Sequence, residues 1–233
     1  MADDDFDVSS LAAYLHLEAG QVARLVERGK LPGRRVAGEW RFSRPEIHQW
    51  LERRIGLSDE QELQRVEGAL QAAGSHPHTE LSLAAMLPPE AIQIPLAART
   101  RNSVIDSMVE VAARTGWLWD PEKMADAVRN REEMHPTALD TGIALLHPRR
   151  PLPGILEQAF LAFGRTEAGI PFGSNRLTDL FFLLCSTDDR GHLHTLARLS
   201  RLIGLPDFVA ELRMAPDAAS VRELFERAEG ELG

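Results

Sequence analysis

The sequence has a single cysteine, few aromatic residues and no long apolar run. Because Cys185 is the only cysteine in 233 residues, an internal disulfide and a cysteine-based zinc site are excluded. The longest uncharged apolar runs, such as residues 180–185, are far shorter than the roughly 18 residues that span a bilayer. The acidic first residues lack the basic start and the apolar stretch of a secretory signal peptide. These absences predict a soluble cytoplasmic protein without membrane insertion.

The chain also lacks the excess of basic residues with which proteins coat nucleic acid nonspecifically, but its charge is unevenly divided. The net charge is −9, from 26 basic and 35 acidic side chains. Residues 6–55 nevertheless carry +3, whereas residues 56–233 carry −9. Opposite signs in two segments predict two domains with different partners. We place an N-terminal domain at residues 1–55, a linker at 56–78 and a C-terminal domain at 79–233.

The N-terminal domain has the pattern of a small, mainly α winged helix-turn-helix domain. Ser9 or Ser10 can cap a first helix, and a second helix runs over about residues 19–28. Apolar residues flank the pair at 37–38, which predicts a short hairpin. A capping box at residues 43–46 then begins a third helix.

These features resemble the excisionase-like, MerR-type winged helix-turn-helix family, chiefly through residues 11–15, 22–32, 36–41 and 50–54. In that family the second helix enters the major groove and the wing lies along the DNA backbone. The resemblance implies DNA binding, and a homodimer if DNA is the target, whereas a protein–protein docking module is the alternative. The residues that it places near bases or phosphates are Gln21, Arg24, Arg28, Lys30, Arg34, Arg35 and Arg41.

The linker contains a helical pattern followed by a break. Apolar residues recur at helical spacing over about residues 56–71, which predicts a helix. His76 and His78 follow, but two histidines without further ligands nearby are typical of a solvated loop. We therefore expect no metal site.

The C-terminal domain has the pattern of an α/β fold. The sequence lacks a Gly-rich phosphate loop and a dinucleotide-binding fingerprint, so we expect no cofactor. Ser220 can cap the last helix through a capping box. Strands are predicted at about residues 142–146, 158–163 and 180–185, and helices at 101–115, 120–132, 192–204 and 220–229.

His147 directly follows the predicted strand at 142–146 and precedes Arg149 and Arg150. Imidazole is partly neutral at physiological pH and is then a nucleophile. A strand end holds the ring rigidly, and neighbouring guanidinium groups can neutralise a phosphoryl dianion. From these residues alone, a phosphoryl acceptor and a structural or solvated histidine both remain open.

The wider pattern looks like the enzyme IIA domain of the fructose/mannitol/nitrogen-regulatory class of the phosphoenolpyruvate-dependent phosphotransferase system. This resemblance covers nearly all of residues 79–233 and implies a mixed sheet flanked by helices. The segments that carry it, in this order, are residues 130–134, 142–147, 169–172, 178–182 and 192–196.

The resemblance also implies a site. His147 would be phosphorylated transiently by an HPr-like phosphocarrier protein, His192 would help to hold the phosphoryl group, and Arg131 would line the same pocket. Residues two apart on a helix do not face the same way, so His192 and His194 should not both reach His147. Residues 138–141 replace a Gly-rich turn of this class, which predicts reduced backbone freedom before the strand.

These features predict a regulator in which a phosphoryl group on His147 is coupled to DNA binding or to regulatory target proteins. One alternative is a non-catalytic transcription regulator or adaptor on a degenerate enzyme IIA scaffold. Another is a plain sugar-specific phosphocarrier with a vestigial helix-turn-helix. Phosphorylation of His147 and binding to DNA distinguish the three.

Overall fold

The computed structural model describes residues 5–15, 17–57, 82–173 and 176–232. The chain forms two compact units, residues 1–80 and 81–233. No helix in the described ranges is long and apolar enough to cross a membrane.

The first unit combines helices with a three-stranded antiparallel sheet. The central strand β3 pairs with β1 on one side and β2 on the other. The elements are β1 Asp5–Phe6, α1 Val8–Leu15, α2 Ala19–Glu27, β2 Arg34–Val36, β3 Glu39–Ser43 and α3 Arg44–Leu57. The remainder of the helix predicted over residues 56–71 lies outside the described residues, as do His76 and His78.

The hairpin between β2 and β3 forms at the predicted position. Ala37 and Gly38 have φ angles of 52° and 86°, and two successive left-handed residues suit the tight turn of a twisted hairpin. Phe42 of β3 is fully buried together with Val22 of α2 and Ile47 of α3. The sheet and the helices therefore share one small core.

The first helix begins earlier than predicted, and a different residue caps it. Helix α1 begins at Val8, and the Asp7 carboxylate accepts a hydrogen bond from the Ser10 backbone N–H at 2.7 Å. The Ser10 hydroxyl accepts from the Asp7 N–H at 2.9 Å. The prediction of a Ser9 or Ser10 cap was wrong, because the aspartate before them makes the bond to the orphan N–H.

The second unit is a four-stranded mixed sheet flanked by helices, which confirms the predicted α/β class. Its strand order is β4-β6-β7-β5, with β4 parallel to β6, β6 antiparallel to β7, and β5 parallel to β7. The elements are α4 Leu83–Met86, β4 Ile92–Gln93, α5 Arg101–Ala113, α6 Pro121–Met134, β5 Ile143–Leu146, β6 Phe160–Pro171, β7 Leu177–Cys185, α7 Asp189–Gly204, α8 Phe208–Met214 and α9 Ala218–Leu232.

Both faces of this sheet carry apolar side chains, and its strands are therefore largely buried. Phe181 and Leu183 of β7 belong to the core cluster that includes Met108 of α5. Phe182 alternates to the other face, where its ring centroid lies 6.0 Å from that of Phe225 on α9. The sheet is thus the middle layer of three.

Three elements of this unit were not predicted, and the start of its last helix differs from the prediction. Strand β4 and helices α4 and α8 were missed, since each is short and depends on tertiary contacts. Helix α9 begins at Ala218, and the Asp217 carboxylate accepts from the Ser220 N–H at 2.9 Å. The prediction that Ser220 caps this helix was therefore wrong.

Candidate functional site

The candidate site lies where two parallel strands end. Because β5 and β7 run parallel, their carboxyl ends lie at the same edge of the sheet, the edge at which open α/β sheets bind ligands. His147 directly follows β5, and Ser186 directly follows β7. Helix α7 begins just after Ser186 and carries His192 near its N-terminus.

The structure brings the two predicted histidines together. The ring centroids of His147 and His192 are 5.0 Å apart, with the ring planes inclined by 50°. His147 is 3% exposed and His192 is 1% exposed. The buried neighbour of His147 is therefore the first histidine of the 192–196 segment, as the resemblance implied.

The hydrogen bond of the His147 ring defines its tautomer. Nδ1 lies 2.7 Å from the carbonyl oxygen of Leu145. Since a carbonyl oxygen can only accept, Nδ1 must carry the proton. In the neutral ring the lone pair is then on Nε2, and Nε2 is the nucleophilic atom.

Ser186 is a site residue that the sequence analysis missed. Its hydroxyl lies 3.0 Å from Nδ1 of His192, and its carbonyl oxygen accepts from the Leu152 N–H at 3.3 Å. Its position could have indicated it, because Ser186 is the first polar residue after an apolar strand. That strand runs parallel to the strand before His147. The parallel pairing itself could not be seen in the sequence.

Arg131 lies in the last turn of α6 and is 8% exposed. Its Nη1 donates to the carbonyl oxygen of His135 at 2.6 Å. The next residue, Glu132, is 1% exposed and accepts from the Thr137 N–H at 3.2 Å. These contacts hold the turn after α6, and the role of Arg131 in a phosphoryl pocket stays a prediction.

The turn before β5 contains one glycine, Gly142, directly after residues 138–141, whose reduced backbone freedom stays a prediction. Gly142 has a φ of +83°, a left-handed conformation. Arg213 spans this turn, donating to the carbonyl of Thr141 at 2.7 Å and to the Asp179 carboxylate at 2.7 and 2.8 Å. The hydrogen bond to Asp179 raises the pKa of the Arg213 guanidinium.

The residues predicted to contact DNA lie on α2, on the segment after it and on the hairpin. All except the half-buried Arg41 are exposed. Gln21 and Arg24 lie on α2, Arg34 and Arg35 on β2, and Arg41 on β3, while Arg28 and Lys30 follow α2.

Several of these side chains already have partners within the first unit. On the hairpin, Arg34 pairs with Asp5 at 2.7 Å, and Arg41 pairs with Glu39 at 3.0 Å. Arg35 stacks over the ring of Trp40 at 5.0 Å. On α2, the Gln21 side chain accepts from the Glu18 N–H at 3.1 Å, and Arg24 donates to the Gly20 carbonyl at 3.0 Å. The positive charge of the wing is thus partly offset by neighbouring carboxylates.

Metal ligands are not gathered anywhere in the described ranges, which contain no group of three or more His, Cys, Asp or Glu placed to hold an ion.

Cys185 is a buried free thiol, and burial raises its pKa.

Comparison with known proteins gives two family matches. Residues 85–228 match the family described as "Phosphoenolpyruvate-dependent sugar phosphotransferase system, EIIA 2". Residues 6–55 match the family described as "Helix-turn-helix domain".

Two relatives align with this chain over very different shares of their length. The fructose-specific EIIABC component of the PTS system from Bacillus subtilis is 29% identical over 127 residues, which are 53% of this chain and 20% of that protein. The nitrogen regulatory protein of Escherichia coli is 27% identical over 160 residues, which are 65% of this chain and 94% of that protein. The chain therefore spans only a fifth of the Bacillus relative.

Solved structures show the same fold in the second unit. Nitrogen regulatory protein IIA-Ntr from Neisseria meningitidis aligns with a TM-score of 0.54 and 22% identity, over 61% of this chain and 97% of that one. IIA mannitol from Escherichia coli aligns with a TM-score of 0.52 and 20% identity, over 59% and 97%.

Proposed function

The chain belongs to the EIIA 2 family of the phosphoenolpyruvate-dependent sugar phosphotransferase system, and we propose that it is a regulator whose His147 accepts a phosphoryl group. The donor is an HPr-like phosphocarrier protein, and His192 helps to hold the transferred group. The observation that carries this proposal is the 5.0 Å approach of two nearly buried imidazole rings at the carboxyl edge of the sheet.

The proposed transfer is a displacement at phosphorus. Nε2 of His147 supplies its lone pair and forms the new N–P bond, while the N–P bond of the phosphocarrier breaks and the carrier nitrogen keeps that electron pair. The His147 ring then carries its Nδ1 proton and a positive charge. Its hydrogen bond to the Leu145 carbonyl, 2.7 Å long, becomes charge-assisted and stabilises the phosphorylated ring.

The surroundings of the pair favour a phosphoryl dianion in two ways. His192 lies near the N-terminus of α7, a helix of 16 residues, and the positive end of a helix dipole stabilises a nearby anion. An imidazole N–H of His192 can donate to a phosphoryl oxygen on His147 across the short distance between the rings. Since His147 is only 3% exposed, transfer also requires a local opening when the phosphocarrier docks.

Arg131 is the third residue of the proposed site. It is 8% exposed and held at the end of α6 by its bond to the His135 carbonyl, so its charge is fixed rather than mobile. A fixed guanidinium is suited to neutralising charge that develops during phosphoryl transfer. Its assignment rests on the family resemblance and on this burial.

For the output, we propose that the first unit binds DNA through α2 and the hairpin and that phosphorylation of His147 changes this binding. The helix-turn-helix match over residues 6–55 and the exposed basic residues support this assignment. The ion pairs of Arg34 and Arg41 are solvent-accessible, and such pairs contribute little stability. DNA phosphates can therefore replace Asp5 and Glu39 as their partners.

Phosphoryl acceptance is tested by intact mass measurement after the full chain is incubated with phosphoenolpyruvate, enzyme I and a phosphocarrier. We expect one acid-labile phosphoryl group per chain, none in His147→Ala, and a less stable one in His192→Ala. His194→Ala is the matched control, because it removes an imidazole from the same helix and should behave as wild type. If a carrier that phosphorylates another EIIA protein leaves this chain unmodified, the adaptor alternative replaces the proposal.

The DNA output is tested by fluorescence anisotropy with duplexes selected from a random pool, using the phosphorylated and unphosphorylated full chain. Arg28→Ala should weaken binding and reduce the slope of log K against log salt by about 1, since one phosphate contact is lost. Arg222→Ala removes one positive charge from the second unit and should leave the slope unchanged. Phosphotransfer without any DNA binding would favour the plain phosphocarrier.

A further inference from the structure

Glu132 is a buried carboxylate that the proposed transfer does not use. It lies in the last turn of α6 and is 1% exposed. Its oxygens accept from the backbone N–H of Thr137 at 3.2 Å and from the Thr137 hydroxyl. The guanidinium of Arg101, on α5, donates to the same carboxylate at 3.2 Å. Because a backbone N–H can only donate, the direction of the bond between Thr137 and Glu132 is fixed.

Thr137 begins a short segment that pairs with the outer edge of β5. Its carbonyl oxygen accepts from the N–H of Leu145 at 3.4 Å, and the N–H of Leu139 donates to the carbonyl of Ile143 at 2.7 Å. An isolated antiparallel bridge lies between these two bonds. Since β5 is an edge strand of the sheet, the segment at 137–139 covers backbone groups that a neighbouring strand would otherwise bind.

The same edge of β5 holds the ring of His147. In a strand, the N–H and the C=O of one residue point to the same side. The Leu145 N–H meets Thr137 on the outer edge, and the Leu145 carbonyl accepts from Nδ1 of His147 at 2.7 Å. One residue of β5 therefore joins the segment anchored by Glu132 to the ring that carries the proposed nucleophile.

We propose that Glu132 is a positioning residue for His147, acting through Thr137 and the outer edge of β5. Its carboxylate fixes the segment that holds Leu145, and the carbonyl of Leu145 in turn fixes the proton of the neutral His147 ring on Nδ1. The lone pair then stays on Nε2, the atom that attacks phosphorus in the proposed transfer. The inference about the transfer rate rests on the proposed function, whereas the inference about the ring does not.

Burial makes this anchor sensitive to a small chemical change. Hydrogen bonds inside a protein are electrostatically stronger than in water, and a buried donor without an acceptor is costly. Glu132→Gln keeps the size of the side chain but replaces one acceptor oxygen by an N–H donor, which would face the donors of Thr137 and Arg101. The pairing segment should then loosen, and the Leu145 carbonyl should hold the Nδ1 proton of His147 less tightly. A neutral ring that carries its proton on Nε2 instead has no lone pair there for the transfer.

The test compares wild type with Glu132→Gln, Thr137→Val and Thr137→Ser. Thr137→Val removes the hydroxyl that donates to Glu132 and keeps the backbone N–H, so it provides the test even if Glu132→Gln does not fold. Thr137→Ser retains the hydroxyl. The matched control is Thr166→Val, because Thr166 lies on β6, is 4% exposed and donates from its hydroxyl to a backbone carbonyl at 2.9 Å.

Three readouts separate positioning from stability. The first is the nitrogen-15 NMR spectrum of the imidazole rings in the unphosphorylated full chain, recorded at a pH of about 8.5, well above the reference pKa of imidazole. It gives the ratio of the two neutral tautomers of His147 and the rate at which the Nδ1 proton exchanges with water. The second is the rate of phosphoryl transfer to His147 from a phosphocarrier. The third is the thermal unfolding of the same samples.

We expect the neutral His147 ring to carry its proton on Nδ1 in wild type, in Thr137→Ser and in Thr166→Val. In Glu132→Gln the tautomer ratio should shift toward Nε2–H by about three- to tenfold, as expected for one hydrogen bond, and the Nδ1 proton should exchange faster by a similar factor. Thr137→Val should shift both by about threefold. The transfer rate should fall in the same order, because the nucleophile is less precisely placed.

A purely structural role would lower the melting temperature and leave the His147 tautomer ratio and proton exchange unchanged, and that result overturns the inference. A shift in Thr166→Val as large as that in Thr137→Val also overturns it, as does a wild-type His147 ring protonated on Nε2.

Failure of the proposed function gives a different result. If the wild-type chain accepts no phosphoryl group, the proposal for His147 fails, yet the NMR comparison still decides whether Glu132 positions the ring. If the wild-type chain is phosphorylated and both Glu132→Gln and Thr137→Val match it in the NMR and transfer readouts, only the Glu132 inference fails.

Discussion

Replacing Gly142 by alanine should destabilise the sheet beneath the two histidines. Gly142 has a φ of +83° in the turn that leads into β5, and β5 ends directly before His147. A Cβ at this position would lie 2.7 Å from Nη2 of Arg213 and 3.2 Å from the carbonyl oxygen of Leu177. The first contact can be relieved by moving a side chain, but the second involves a neighbouring strand.

The expected cost has two parts. A left-handed conformation costs a non-glycine residue about 1–2 kcal/mol. Moving Arg213 weakens its bonds to Asp179 and to the Thr141 carbonyl. The Arg213 and Asp179 side chains are 37% and 25% exposed, so solvent screening limits this second part to about 1 kcal/mol. Gly142→Ala should therefore lower the free energy of unfolding by about 2–3 kcal/mol.

Urea unfolding of the full chain, combined with hydrogen exchange of the peptides that contain β5 and β7, measures this change. Gly154→Ala is the matched control, because Gly154 has no heavy atom within 4 Å of its added Cβ and should change stability by less than about 0.5 kcal/mol. In a double-mutant cycle, Arg213→Ala should relieve part of the cost of Gly142→Ala. Equal effects of the two glycine variants, or strict additivity with Arg213→Ala, would refute the reasoning.

Two further predictions concern caps in the second unit. The Glu229 carboxylate accepts from the Ser82 hydroxyl, from two backbone N–H groups of α4 and from Arg198, and Glu229 and Arg198 are each 10% exposed. Glu229→Ala should therefore lower the free energy of unfolding by about 3–5 kcal/mol, and a loss below about 1 kcal/mol in urea titrations would contradict the role of this buried pair. Hydrogen bonds from Ser220 lower the pKa of Asp217 below its ordinary 3.8, so its carbon-13 titration midpoint should lie below that value. Because the pKa of Asp217 is lower in the folded chain than in the unfolded chain, its carboxylate stabilises the fold above the unfolded pKa, and this stabilisation is lost as the pH falls through the folded pKa. Asp217→Asn should therefore destabilise the protein at pH 7 and have no effect in strong acid.

The long elements could be predicted from local patterns, whereas the histidine pair was predicted from the resemblance to the enzyme IIA class. Caps and turn residues that are recognisable in the sequence bound helices α5 and α6 and strands β5 and β7. The two-residue strand β4 has no such pattern, since its extended form is held by pairing with β6. Neither the capping aspartates at positions 7 and 217 nor Ser186 was found. Serines within one turn competed for the two caps, and the place of Ser186 in the site depends on the parallel pairing of β5 and β7.

The first unit shows why a count of charges overstates the field of a binding surface. Residues 6–55 carry +3 in the sequence, but this count leaves out Asp5, which pairs with Arg34 on the wing. Glu39 likewise pairs with Arg41 across two positions of the same strand. DNA that reaches the wing must separate these carboxylates from the arginines, so each phosphate contact there gains less than a contact with an uncompensated cation. Arg28 and Lys30, exposed at the end of α2, should therefore contribute more to the salt dependence of binding than the wing does, and Arg34→Ala should reduce the salt slope less than Arg28→Ala.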